Sequence, residues 1–235
     1  MTQLIYIGGS HRTVGKTFIA RGIITALRDK TIVGAWKPVD TGHIIYNAND
    51  VSTDAELLYH ASRMTEHQNL VNPYMLNENY PPVLAAQRDG VEIKMDVLEN
   101  YRKMLQERYP ILITEGLSGL CLPITKTHTE LDVIRQWATS ILWITDIGES
   151  SLAETLAQLK IMKHEELPVK GIILNNWNNC DHADLLHYQW LTLEQQTSLR
   201  VWGMIPRMTE PAQDENIANW IQSYLEKGIL NTLIK

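Results

Sequence analysis

The stretch from residue 3 to residue 17 constrains the fold of this chain more than any other. An apolar run from Leu4 to Ile7 has the length of a strand and meets a glycine-containing turn, after which Gly15-Lys16-Thr17 opens a helix-like segment. The backbone N–H groups of such a loop cradle phosphate oxygens, and the helix N-terminus favours their negative charge. The lysine then reaches the outer phosphates, and the threonine hydroxyl is suited to Mg²⁺. The stretch therefore predicts a strand–loop–helix unit that binds a nucleotide.

The loop departs from the common phosphate-loop spacing. The segment between Gly9 and Gly15 is one residue longer than in that pattern, and Ser10 stands where a glycine is usual. Inside the loop, Arg12 either contacts phosphates through its guanidinium or points to solvent. The competing interpretation is an ordinary strand-to-helix turn with a surface lysine. The strand–loop–helix context argues against that interpretation.

Composition limits the class of protein. A chain of 235 residues with 44% hydrophobic and 20% charged residues suits one α/β domain spanning 1–235 with an ample core. The net charge of −6 argues against a nucleic-acid binder. No apolar run approaches the roughly 20 residues that span a bilayer, and the N-terminus lacks the features of a signal peptide. Cys121 and Cys180 have no metal-type spacing, so we expect reduced thiols in a cytoplasmic protein.

Apolar runs alternate with helix-like segments along the chain. This pattern predicts a doubly wound, mainly parallel sheet with helices on both faces, the α/β fold of P-loop NTPases. The predicted strands are 3–8, 31–36, 110–115, 140–146, 169–175 and 200–205. The predicted helices are 16–29, 53–63, 95–108, 129–138, 150–165, 182–197 and 213–227. Residues 64–94 are the least regular, because prolines disfavour helix there, and we expect a substrate loop or lid.

The carboxyl ends of the predicted strands carry the candidate site residues, because ligands of open α/β sheets gather there. Lys37 follows the second strand, where an ammonium group would neutralise charge in a transition state. A lysine in such a position is otherwise often solvated. The neighbouring turn Thr41-Gly42 and the phosphate loop favour the functional interpretation.

Two carboxylates are candidates for a metal site. Glu115 ends the third strand near Thr17, where it would bind Mg²⁺ directly or through water; the alternative is a capping or exposed glutamate. Asp54 begins a helix and would serve equally as an N-cap or as a ligand. Beyond them, Asn175 and Asn176 would either hydrogen-bond a purine edge or simply form a turn.

Taken together, these motifs resemble the dethiobiotin synthetase family. The resemblance runs through most of the chain, and several motifs occur in one order. The matching pieces are Gly9, Val14-Gly15-Lys16-Thr17, Lys37-Pro38-Val39, Thr41-Gly42, Asp54, Asn72-Pro73-Tyr74, Pro82, Ala86-Gln87, Glu115-Gly116, Leu120-Cys121-Leu122-Pro123-Ile124, Asn175, Ile205-Pro206 and Glu210.

The resemblance implies an ATP- and Mg²⁺-dependent ligase that closes the ureido ring of dethiobiotin. Members of that family take 7,8-diaminononanoate and CO₂ or bicarbonate and form a carbamate on one amine. The carbamate attacks the γ-phosphate of ATP, and the second amine then closes the ring and expels phosphate. Members are homodimers with the diamine site at the subunit interface, so the resemblance implies a dimer with small-molecule substrates.

The resemblance also implies roles for individual residues. The implied metal ligands are Thr17, Asp54 and Glu115, and the implied catalytic residues are Lys16, Lys37 and Thr41, the last two also contacting the substrate. The implied ATP contacts are Arg12, Thr13, Val14, Gly15, Lys16, Thr17, Asp54, Glu115, Gly116, Asn175, Asn176, Pro206 and Glu210.

The chain departs from the family pattern at three places: the loop residues 10–13, the pair Leu117-Ser118, and the segment 147–151. The first lacks the acidic residue that the family has near the phosphates and carries a basic one instead, and the third has no clear match to the segment lent to the partner's diamine site. Two alternatives stay open: an ATP-binding relative without ligase activity, and a related ATP-dependent ligase or amidase with another substrate. Retention of Lys37, Thr41, Asp54 and Glu115 favours an enzyme, because a protein that only binds nucleotide has no need for all four.

Overall fold

The computed structural model describes residues 2–42, 53–209 and 213–234. Six parallel strands form the main sheet, in the order β2-β5-β1-β6-β7-β8. These strands are β1 Gln3–Gly9, β2 Val33–Trp36, β5 Ile111–Glu115, β6 Ser140–Asp146, β7 Val169–Asn176 and β8 Val201–Pro206. A second, two-stranded parallel sheet consists of β3 Val39–Thr41 and β4 Tyr74–Leu76.

Helices flank the main sheet. Those of nine or more residues are α1 Lys16–Arg28, α2 Asp54–Ser62, α5 Met95–Arg108, α7 Glu149–His164, α8 Ala183–Thr197 and α9 Asp214–Tyr224. Shorter ones are α3 Gln68–Val71, α4 Pro82–Arg88, α6 Glu130–Trp137 and a final 3₁₀ turn, Ile229–Leu233. Helix α1 packs against α2 and α9, and α7 packs against α8. Within the described ranges, no helix has the length and apolarity needed to cross a membrane.

The predicted α/β fold is confirmed, and each predicted strand and helix overlaps an observed element. The sequence predicts a last helix over 213–227, and this helix is too long because α9 ends at Tyr224. The cause is tertiary: Leu225 adopts an extended conformation and forms a bridge with Gly203 of β8. This pairing with the sheet competes with further helix.

The region 64–94 is more regular than the sequence indicates. Helix α3, strand β4 and helix α4 all lie in it. Pro82 is the first residue of α4, a position where its missing N–H has no helical partner to lose. Strand β4 forms because it pairs with β3, a contact between distant stretches that local propensity does not reveal.

Strand β1 lies between β5 and β6, so the loop that follows it emerges between two other strand ends. Its side chains are buried on both faces, as expected for a parallel strand covered by helices. Gly8 is required by this packing, because a Cβ there would lie 2.2 Å from the buried ring of Trp143. The arrangement brings the ends of β1, β2 and β5 together at one edge of the sheet.

Candidate active site

The loop between β1 and α1 is closed by two glycines. Gly15 has a φ of 87°, in the left-handed region, and a Cβ there would lie 2.1 Å from Nδ2 of Asn175. A Cβ on Gly9 would lie 2.6 Å from Cγ2 of Val14. Glycine at both positions therefore lets the loop fold tightly back onto the first turn of α1.

Lys16 lies inside this loop, not on the surface. Its ammonium group donates to the backbone oxygens of His11 at 2.9 Å and Arg12 at 3.1 Å, and the residue is 2% exposed. Burial, with repulsion from Lys37, lowers the pKa of Lys16 to about 8, although Glu115 opposes the shift. The surface-lysine interpretation is thus wrong. On the other side of the loop, the side-chain amide of Asn175 donates to the oxygen of Val14 at 2.7 Å.

Lys37 and Glu115 form a buried ion pair beside the loop. Their Nζ and Oε1 atoms are 2.5 Å apart, and the residues are 3% and 1% exposed. The hydroxyl of Thr17 donates to the same carboxylate oxygen at 3.0 Å. The solvated lysine and the capping or exposed glutamate, both possible from the sequence, are therefore wrong. The three residues come from three separate elements and meet at one point.

The electrostatics of the pair favour a charged Lys37. Burial opposes the ammonium form, but attraction by Glu115, Asp40 and Asp54 outweighs it and raises the pKa of Lys37. Burial raises the pKa of the Glu115 carboxyl, and Lys37 opposes that shift. Lys37 donates to Oε1 of Glu115 in a charge-assisted hydrogen bond.

Asp54 is not the N-cap of α2. Thr53 occupies that position and forms a capping box with Glu56, each accepting a hydrogen bond from the other's backbone N–H. The carboxylate of Asp54 is therefore left to face the site. It lies 3.5 Å from Nζ of Lys37, and its side chain is 44% exposed.

The oxygen atoms of Thr17, Asp54 and Glu115 make a donor set that fits Mg²⁺, a cation that prefers oxygen ligands. One observation supports the fit: Oε2 of Glu115 is buried and has no hydrogen-bond partner among the residues that the structure describes. A buried carboxylate oxygen without a partner is costly. These three residues, predicted as metal ligands from the sequence, are brought together here.

A cavity of about 150 Å³ adjoins this cluster. Lys37, Asp54 and Glu115 lie on one side of it, and Thr41 and Arg12 line it as well. The guanidinium of Arg12 crosses from the phosphate loop and donates to the backbone oxygen of Thr41 and to Oδ1 of Asn79. A second molecule seated in this cavity would therefore lie beside Lys37.

Glu130, which the sequence did not single out, positions the turn after β5. This fully buried carboxylate accepts the hydroxyl of Tyr6 at 2.6 Å and the backbone N–H groups of Leu117 at 3.1 Å and Ser118 at 3.2 Å. Gly116 leaves room for it, since a Cβ there would lie 2.2 Å from Oε1 of Glu130. Acidic residues are common in the first turn of a helix, so no sequence pattern indicated the role of Glu130.

The predicted adenosine contacts lie at the ends of β7 and β8. Asn175 pairs in register with Ile205, and Asn176 with Pro206. The side chain of Asn176 closes a local turn by bonding both the N–H and the oxygen of Cys180 at 2.8 Å. The remaining two candidates are Thr13, which is exposed in the phosphate loop, and Glu210, which lies outside the described residues.

The segment 147–151 opens α7. Gly148 donates its N–H to Oε1 of the buried Gln189 at 3.0 Å, and that side chain also donates to the oxygen of Asp146 at 2.7 Å. The carboxylate of Asp146 in turn accepts from Trp177 and contacts His11 of the phosphate loop at 3.1 Å. Asp146, the last residue of β6, therefore links the start of α7 to the phosphate loop.

Together, the parallel sheet, the glycine-closed loop, the buried lysine at the start of α1 and the oxygen donors beside it define a P-loop nucleotide-binding protein. Solved structures agree on the fold. A ParA family ATPase from Chlorobium tepidum has a TM-score of 0.56 at 15% identity over 100% of this chain and 98% of its own. The MinD cell division protein of Aquifex aeolicus has a TM-score of 0.55 at 15% identity over 99% and 96%.

Sequence comparison gives the family. The model described as "AAA domain" matches residues 3–214. The ATP-dependent dethiobiotin synthetase of Clostridium perfringens is 30% identical over 192 residues, covering 80% of this chain and 82% of the relative. That of Clostridium botulinum strain Alaska E43 is 28% identical over 208 residues, covering 86% and 90%. The chain belongs to the dethiobiotin synthetase family of P-loop ATPases.

Proposed function

We propose that this protein is an ATP-dependent dethiobiotin synthetase, which forms the ureido ring from 7,8-diaminononanoate, CO₂ and ATP. The observation that carries the proposal is the convergence of Lys16, Lys37, Thr17 and Glu115 beside a cavity large enough for a small reacting group. A protein that only binds nucleotide has no need of a second buried lysine beside the first. We further propose that it acts in the cytoplasm as a homodimer.

The proposed reaction brings two anions together, and the site supplies the positive charge that such a reaction requires. A carbamate oxygen of the diamine attacks the γ-phosphorus, the bond from that phosphorus to the bridging oxygen breaks, and ADP leaves with the electron pair. The other amine, after losing its proton, attacks the carbamate carbon and expels inorganic phosphate. Attack of one oxyanion on another is slow unless fixed positive charge lies between them, and Lys37 and Lys16 supply it.

Each group has a proposed role in this reaction. Lys16 binds the outer phosphates, Lys37 neutralises charge that develops between carbamate and phosphorus, and Thr41 contacts the carbamate or diamine. Thr17, Asp54 and Glu115 would hold Mg²⁺, which when bound supplies further positive charge at the phosphates. Asn175, Asn176, Pro206 and Glu210 are proposed to surround the adenosine.

The test is release of phosphate from Mg-ATP, measured with and without diaminononanoate and bicarbonate, together with mass spectrometry for dethiobiotin. We expect release that requires both substrates. The variant Lys37→Ala should reduce turnover about 10²–10³-fold while ATP binding stays within a few-fold, as loss of one transition-state charge contact does. Lys103→Ala is the matched control, because that side chain is 61% exposed on α5. ATP binding without substrate-dependent release contradicts the proposal.

A second candidate is an ATP-dependent ligase that activates a carboxylate instead of a carbamate. The observation that favours it is Arg12, a cation that lines the cavity from a loop that lacks the acidic residue of the dethiobiotin synthetase pattern. The same assay separates the two functions. Phosphate release that depends on a carboxylic acid and an amine, and not on bicarbonate, identifies the second.

A further inference from the structure

We propose that Arg12 selects the second substrate by binding its CO₂⁻ group, whether that group is a carbamate or a carboxylate. The inference rests on the proposed function, since it concerns the molecule that the phosphoryl group is transferred to. It assigns to a phosphate-loop side chain a role in the neighbouring cavity, separate from any contact with ATP. Three observations carry it.

The first observation is where the side chain goes. The backbone of Arg12 belongs to the phosphate loop, and its carbonyl oxygen accepts from Lys16. The guanidinium reaches the part of the cavity lining formed by Thr41 and Asn79, where it donates to the backbone oxygen of Thr41 and to Oδ1 of Asn79. The approach is close: a Cβ added to Gly42 would lie 3.2 Å from Nη2 of Arg12. The guanidinium is therefore held at the cavity.

The second observation is that Arg12 has no ion-pair partner among the residues that the structure describes. Its two hydrogen-bond acceptors are neutral carbonyl oxygens, and among residues 2–42, 53–209 and 213–234 no carboxylate lies within 4.0 Å of its guanidinium. Asp40 is close enough for Arg12 to oppose the rise in its pKa that burial causes. A guanidinium has about five N–H donors, so donors remain for a ligand.

The third observation is the contrast with the other cation lining the cavity. Lys37 is held 2.5 Å from Glu115, which fixes its ammonium group beside the candidate metal ligands, where its proposed role is at the phosphorus. Arg12, by contrast, is the cation lining the cavity that has no ion-pair partner in the described part of the chain. A cavity of about 150 Å³ holds the equivalent of about five water molecules, enough for a planar CO₂⁻ group and its first attached atoms. Guanidinium and carboxylate groups match in shape and charge.

The experiment measures how strongly Arg12 responds to ligand charge. The probes are the carboxymethyl analogue of the carbamate, in which CH₂ replaces the carbamate nitrogen, and the matching primary amide. Their affinities are measured by calorimetry with wild type, Arg12→Gln and Arg12→Lys, each saturated with a non-hydrolysable ATP analogue and Mg²⁺. Arg88→Gln is the control, because that guanidinium lies 5.0 Å from the ring centre of Tyr80 and does not line the cavity.

We expect wild type and Arg88→Gln to prefer the carboxylate probe over the amide by about 10- to 100-fold, the usual worth of a hydrogen-bonded charge. In Arg12→Gln, saturated with the ATP analogue, the preference should shrink to about 3-fold or less, with an intermediate value in Arg12→Lys. A purely structural Arg12 would weaken both probes equally. Three results would overturn the inference: equal weakening of both probes in Arg12→Gln, an unchanged preference in that variant, or no binding of either probe to wild type.

A second measurement distinguishes the two sources of the CO₂⁻ group. Phosphate release is followed with diaminononanoate in CO₂-free buffer, with bicarbonate added, and with short-chain carboxylic acids in place of bicarbonate. Dependence on bicarbonate identifies a carbamate, and dependence on the acids identifies a carboxylate. A wild-type protein that turns over but whose preference for the carboxylate probe survives in Arg12→Gln contradicts the role of Arg12 alone, whereas absence of turnover in wild type contradicts the proposed function.

Discussion

Replacing Glu115 with glutamine tests the buried charge cluster directly. The substitution keeps the shape of the side chain and removes its charge, so Lys37 loses the partner that lies 2.5 Å from its ammonium group. What remains nearby is Asp54, at 3.5 Å and with a side chain 44% exposed to solvent, together with the buried Asp40. Because Lys37 is only 3% exposed, water replaces only part of the lost attraction.

The magnitude follows from the geometry. At 2.5 Å and an effective dielectric constant of about 20, the attraction between the two charges is about 7 kcal/mol. The substitution also removes the cost of burying the carboxylate, which is several kcal/mol, and Asp54 compensates part of the remaining charge. We therefore expect the free energy of unfolding to fall by about 2–4 kcal/mol. For a protein of this size the melting temperature would fall by roughly 5–15 °C.

Urea and thermal unfolding of Glu115→Gln measure this loss without nucleotide. The control is Glu99→Gln, which removes a partly exposed ion pair to Arg102 of 2.6 Å on α5 and should cost less than about 1 kcal/mol. The double variant Lys37→Met with Glu115→Gln removes both charges and should recover a large part of the lost stability. Equal losses in Glu115→Gln and Glu99→Gln, or a double variant less stable than either single one, would refute the account of the cluster.

Two further predictions concern the phosphate loop. The pKa of Lys16 is lowered from the ordinary 10.5 to about 8, so this residue loses its proton as the pH rises above 8. ATP affinity should therefore fall by up to about tenfold per pH unit above 8. Between pH 8 and 10.5 the unfolded protein without ATP binds more protons than the folded one, so its stability should rise with pH over that range. Calorimetry in buffers of different ionisation enthalpy should record proton uptake on ATP binding at pH 8–9, and the always-charged Lys16→Arg should show none. Gly15→Ala should lose ATP binding and more than about 2 kcal/mol of stability, because the added Cβ would lie 2.1 Å from Nδ2 of Asn175. The control is Gly90→Ala, where φ is 68° and nothing lies within 4 Å of the added Cβ, so the loss of stability should be about 1 kcal/mol. Similar chemical denaturation curves for the two alanine variants would contradict the steric explanation.

The sequence predicted the centre of the site because chain order and sheet geometry are linked. Lys37 and Glu115 follow apolar runs, and the ends of parallel strands lie at one edge of a sheet, so their approach to Thr17 could be expected. The structure adds the direct pairing of their charges. For Asp54 the sequence left two interpretations equal, and the capping box formed by Thr53 decides between the N-cap and a free carboxylate.

Other parts could not be predicted, because they depend on contacts between distant residues with no local pattern. The pairing of β3 with β4 forms a small sheet from two three-residue strands, each too short for a periodic signal. Glu130 lies in the first turn of α6, where acidic residues are common. Its role in positioning the 116–118 turn follows only from its hydrogen bonds to the hydroxyl of Tyr6 and to the backbone of that turn. Likewise, nothing near Arg12 in the sequence points to Asn79 as its partner.

The central position of β1 has a consequence for the newly made protein. In chain order this strand precedes both of its neighbours: β5 and β6 come more than a hundred residues later, with Gln3 aligned to Ile111 and Ile5 to Ser140. The lysines and carboxylates of the cluster therefore meet only after β5, the strand that ends in Glu115, has joined β1. A chain that stops before β5 contains the phosphate loop and Lys37 but not the carboxylate that pairs with that lysine.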